Sequence, residues 1–113
     1  EFAKTDFEKM SLWEEVEDFM DLWCELPGYK VGNRKRMQIE MFFKVIEKNI
    51  EIDTTSLLNY IGQTYLLPLI NGEGEQYETN LIKLSKSISG IELKYHLEQL
   101  IESGSRLQLY RYI

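Results

Sequence analysis

Apolar residues recur at three- and four-residue intervals along most of this chain, and no apolar run exceeds four residues. That spacing gathers them on one side of a helix. The chain must therefore fold as several amphipathic helices around a shared core, and it holds no membrane-spanning helix, which needs about 20 consecutive apolar residues. With 113 residues, 43% of them apolar, there is material for one core and not two. The expectation is a single domain over 1–113, mainly α with a small β element: five helices plus a C-terminal strand or hairpin.

The first helix is acidic. Ser11-Leu12-Trp13-Glu14 has the capping-box pattern, and Thr5-Asp6-Phe7-Glu8 offers the same signal earlier. Leu12, Trp13, Val16, Phe19, Met20, Trp23 and Leu26 form its apolar face, opposite Glu14, Glu15, Glu17, Asp18 and Asp21, and Pro27-Gly28 ends it. Two tryptophans on one stripe serve either as core or as anchors for a partner.

Asn33 caps a second helix running to about Lys48, with Met37, Ile39, Met41, Phe42, Phe43, Val45 and Ile46 around much of its circumference. It is expected to be the most buried element. Arg34-Lys35-Arg36 sits in its first turn, where cations oppose the helix dipole. Such a basic turn is either a solvated surface or a site for an anion or acidic partner. Ile50-Glu51-Ile52 alternates like a very short strand, and Asp53 caps a third helix carrying Leu57, Leu58, Tyr60 and Ile61, closed by Gly62.

Thr64 to Ile70 has extended-chain composition, restricted by Pro68 to an edge or loop, and Asn71-Gly72-Glu73-Gly74 reads as a flexible turn. A fourth helix from about Gln76 carries Tyr77, Leu81, Leu84 and Ile88. Ser89-Gly90 separates it from a fifth with Leu93, Leu97, Leu100 and Ile101, ending at Ser103-Gly104. Residues 106–113 alternate as a strand with Leu107, Leu109 and Ile113 on one side. Its partner is residues 50–52, residues 64–67, or a second molecule.

The chemistry of catalysis is thin. His96 is the single histidine, with Glu92 four residues before it, and no serine or cysteine has a nucleophile's setting. Cys24 is the only cysteine, so neither a disulfide within the chain nor a thiolate metal cluster is expected. Glu73, Glu75 and Glu78 lack the ligand alternation of a calcium loop, and the nearby glycines lack the lysine of a phosphate loop. The reading is a non-enzyme without metal, cofactor or small-molecule substrate, from an intracellular, reducing location. The opening Glu1-Phe2 resembles a cloning remnant, which would make this a piece of a longer protein.

Charge is uneven. Residues 1–26 carry nine acids and two bases, 27–80 seven and six, and 81–113 three and five, adding to −6. An acidic front repels phosphate, on which nucleic-acid affinity depends. It favours a protein partner.

Residues 34–113 resemble a winged-helix domain of the helix-turn-helix class. In that likeness Met37 to Asn49 is the first helix, Ile50 to Ile52 the first strand, Leu81-Ile82-Lys83-Leu84-Ser85-Lys86 the supporting helix, and Ser89-Gly90 the turn. Leu93 to Glu102 is the second helix of the pair and 106–113 a wing strand. Leu97 and Leu100 fall one residue later than the class's usual buried aliphatics, at His96 and Gln99. The acidic surplus, the aromatic first helix and the terminal strand favour the first of two functions, and the resemblance offers the second as the alternative. One is a protein-interaction or self-association module of a chromatin, replication or transcription assembly, binding through Trp13, Phe19, Trp23, Leu107, Leu109, Tyr110 and Tyr112. The other is a DNA-binding regulator using Lys94, Tyr95, His96, Arg106 and Arg111.

Overall fold

The computed structural model describes residues 6–49 and 53–112. The cap signal at Thr5, the expected strand at Ile50 to Ile52, and Ile113 lie outside the described residues. Five helices and two short strands follow in order: α1 (Asp6–Trp23), α2 (Asn33–Asn49), α3 (Thr54–Ile61), β1 (Asn71–Glu73), α4 (Glu75–Ser87), α5 (Ile91–Gly104) and β2 (Leu109–Arg111). The mainly helical class with a small β element is as the periodicity required.

α1 is already helical at Asp6, so Ser11 lies inside the helix and does not start it. It also stops at Trp23, before Pro27, and the chain turns through Leu26 N–H to Trp23 C=O and Tyr29 N–H to Leu26 C=O. Leu12, Val16, Met20, Trp23 and Leu26 are buried along one stripe. α2 runs back against α1: Arg36 reaches Glu17 at 3.8 Å, and further along Phe43 meets Trp13 with ring centroids 5.1 Å apart.

The expectation that α2 is the most buried element fails. Only Ile39 and Phe43 are buried, with Phe42 and Ile46 packed at the core's margin, while Met37, Met41 and Val45 are 61%, 65% and 57% exposed. These three lie roughly opposite Ile39 on the helix, and a chain this small builds its one core on the Ile39 side.

Asp53 caps α3 as expected, its carboxylate accepting from Ser56 N–H at 2.8 Å. Those bonds hold its carboxyl below the ordinary carboxylate range. Gly62 follows the last residue of α3, as expected, but not as a left-handed cap. It keeps right-handed helical geometry and leads into a π-helical turn (62–66) and a 3-10 turn (67–69). A Cβ at Gly62 would run into the Leu93 side chain, so the glycine lets α3 approach α5. The β-branched and aromatic content of 64–70 is a weak local preference, overridden by burial of Leu66, Leu67 and Ile70. Pro68 fits at the start of a 3-10 turn, where its missing N–H has no bond to make.

The turn expected at 71–74 is instead β1. It pairs antiparallel with β2, Asn71 opposite Arg111, Gly72 opposite Tyr110 and Glu73 opposite Leu109. Of the partners expected for the terminal strand, residues 64–67 are not used, because they lie in the π-helical and 3-10 turns. Gly72 leaves room for the Tyr77 ring, which stacks against Tyr110 at 6.1 Å, where a Cβ would collide with it. Gln108, at φ 53, reverses the chain from α5 into β2, and its carbonyl accepts from Gly74 N–H at 2.9 Å. β2 is shorter than expected, and its inward side is Tyr110 rather than the leucines: one large ring fills the space that the strand covers.

Candidate functional site

The residues that sequence reasoning proposed for partner binding separate into two groups. Trp23 is fully enclosed, flanked by Phe19 and Tyr29 at 6.0 Å each, and Tyr110 is 1% exposed. Both are core residues in the folded chain, a correction with a simple cause: a small domain needs its largest side chains inside. Among the described residues Trp23 Nε1 has no hydrogen-bond partner, and Tyr110 Oη makes no close hydrogen bond but has Glu78 nearby. Burial, and the charge of nearby Glu78, push the Tyr110 phenol up to about 12.

Leu107, Leu109 and Tyr112 are outward, 73%, 46% and 40% exposed. They cluster on or beside β2. Among the described residues the sheet has two strands, so β2 has one edge on which no strand lies. Gly74 N–H donates to Gln108 C=O and Tyr112 N–H to Ile70 C=O. In an antiparallel ladder with that register, the N–H and C=O groups of Leu109 and Arg111 point the other way. Backbone bonding groups and apolar side chains therefore coincide at this edge, where the Leu109 carbonyl also lies close to Gly104 at the end of α5.

Trp13 and Phe19 are half-buried against the core. Trp13 and Phe43 floor a groove of about 360 Å³ between α1 and α2, bordered by Glu14 and Glu17 on one helix and Glu40, Lys44 and Glu47 on the other. Sequence reasoning missed this groove. The acidic face and the aromatic stripe were both visible, but which turn of α2 would lie beside them was not.

The candidate nucleic-acid residues lie at the other end of the fold. Tyr95, Arg106 and Arg111 are exposed, Lys94 and His96 partly so, and Tyr95 meets His96 edge-on with centroids 5.8 Å apart. His96 and Arg111 line a shallow depression with Gln99, Ser103 and Tyr112. The solvent side of α5 also carries Glu92, Glu98 and Glu102. The basic turn of α2 is largely engaged: Arg36 pairs with Glu17, and Lys35 Nζ lies 5.9 Å from the Tyr65 ring centre, leaving Arg34 open to solvent.

Among the described residues no group of three or more histidine, cysteine, aspartate or glutamate side chains is placed to hold a metal, and no helix is long and apolar enough to cross a membrane. Comparison with protein-family models, characterised proteins and solved structures finds no match to this chain.

Proposed function

We propose that this chain is a non-catalytic self-association module with winged-helix-like architecture, pairing through the outer edge of β2. The observation that carries the reading is the coincidence there of an edge on which, among the described residues, no strand lies with exposed Leu107, Leu109 and Tyr112. Open apolar edges template the addition of another strand, and natural domains cover or blunt them. Two β2 edges related by a two-fold axis are self-complementary, since antiparallel pairing is symmetric under that operation.

The architectural part rests on element order. From Thr54 the chain runs helix, strand, helix, tight turn, helix, strand, the order of a winged helix, with α3 and its following turns as first helix and β1 as first strand. That register differs from the one expected from sequence, which began at Met37. It also absorbs the helix after Asp53 that had no role there. α1 and α2 then stand in front of the winged-helix portion.

DNA binding is the weaker reading, because three glutamates accompany one lysine along the solvent side of α5. A helix that enters a groove needs to lower phosphate repulsion, and this one adds to it. Light scattering over a concentration series, beside a low-salt DNA-binding assay, tests the proposal. A dimer indifferent to DNA and converted to monomer by Leu109→Glu supports it. A monomer that binds DNA and loses it on Lys94→Glu with Arg106→Glu overturns it.

A further inference from the structure

We infer that the groove between α1 and α2 is a docking site for a lysine- or arginine-bearing amphipathic helix of a partner protein. This goes beyond self-association and uses a different surface. The floor is Trp13 and Phe43, in contact at 5.1 Å, and offers apolar and aromatic area to one side chain. Four carboxylates border it against one lysine. Glu40 is paired with Lys44 at 3.8 Å and Glu17 with Arg36 at 3.8 Å, so two of the four are already neutralised. Glu14 and Glu47 line the groove from opposite helices and, among the described residues, have no cation within ion-pair distance.

That arrangement selects its occupant by charge and shape. An apolar side chain over the Trp13 and Phe43 rings, flanked by cations reaching Glu14 and Glu47, satisfies both the floor and the border, and a cation close to the indole face gains further attraction. From Glu40 to Glu47 the α2 wall is two turns long, roughly 10 Å, which matches a short helix laid into the groove. An acidic or purely apolar partner would leave the two free carboxylates desolvated and unpaired, which is costly. A second copy of the chain offers Arg34 alone from its basic turn, since Lys35 and Arg36 are already engaged with Tyr65 and Glu17.

The probe is a fluorophore-labelled amphipathic peptide, roughly three helical turns long, with leucines on one face and lysines on the other. Fluorescence anisotropy measures its binding to the full chain, and the Trp13 indole N–H resonance reports its position. The expected result is saturable binding that shifts the Trp13 resonance, and a loss of at least about fivefold in affinity, about 1 kcal/mol, for Glu14→Gln with Glu47→Gln. Glu98→Gln with Glu102→Gln changes the net charge equally on α5 and should leave affinity within about twofold. Leu109→Glu should leave it unchanged, so failure of the self-association reading and failure of this one are distinguishable. Three outcomes overturn the inference: equal losses for the two double variants, which marks general attraction to an acidic protein; no shift of the Trp13 resonance; or dimers that dissociate on Glu14→Lys with Glu47→Lys, which assigns the groove to a second copy.

Discussion

Tyr29 ties the loop after α1 to the middle of the fold, its hydroxyl donating to the Leu66 carbonyl at 2.7 Å in a buried setting that raises its pKa. Tyr29→Phe removes the donor and leaves that carbonyl unsatisfied inside the protein, so stability should fall by about 1–3 kcal/mol in urea unfolding. Tyr110 is the opposite case. Its buried hydroxyl makes no close hydrogen bond and has Glu78 nearby, so Tyr110→Phe should cost less stability than Tyr29→Phe at pH 7. The phenol is raised from 10.0 to about 12, so the folded state holds that proton more tightly than the unfolded state does. The associated stability is fully present below pH 10 and is lost as pH rises towards 12. Thermal melts across that window should fall less steeply for Tyr110→Phe than for the unaltered protein. Tyr29 and Tyr77, also raised, contribute alkaline loss of the same sign in both proteins.

Helix α2 is held by one narrow stripe, and its two sides should respond differently to substitution. Ile39→Ala should cost about 2–5 kcal/mol, as buried aliphatic truncations do, whereas Met41→Lys should stay within about 0.5 kcal/mol. Equal effects in chemical denaturation would mean that Met41 is covered in solution. The same helix shows where sequence reading reached its limit. Existence and extent of α2 followed from Asn33 and the apolar content, but apolar residues on every side cannot say which stripe the core will take. At β1 the limit was different: Asn71-Gly72-Glu73 has poor intrinsic strand preference, and only the approach of Tyr110 and Tyr77 makes it a strand. α4, the Ser89-Gly90 turn and α5 were legible because periodicity, breakers and burial agree there.

At the scale of the molecule, the acidic stripe of α1 and the apolar edge of β2 are separate surfaces, the first proposed to select basic partners and the second a strand. The sequence exposed the ingredients of both. It could not show that Trp23 and Tyr110 turn inward while Leu107 and Leu109 remain outside, because alternation along a strand fixes two faces without saying which is buried. Self-association through β2 is the central claim, and amide hydrogen exchange tests it most directly, at Leu109 and Arg111, whose N–H groups point away from β1. Followed from dilute to concentrated protein, exchange at both positions should slow as copies pair, and Leu109→Glu should abolish the concentration dependence seen at Arg111. Rapid exchange at Leu109 and Arg111 that is unchanged at every concentration would contradict the account.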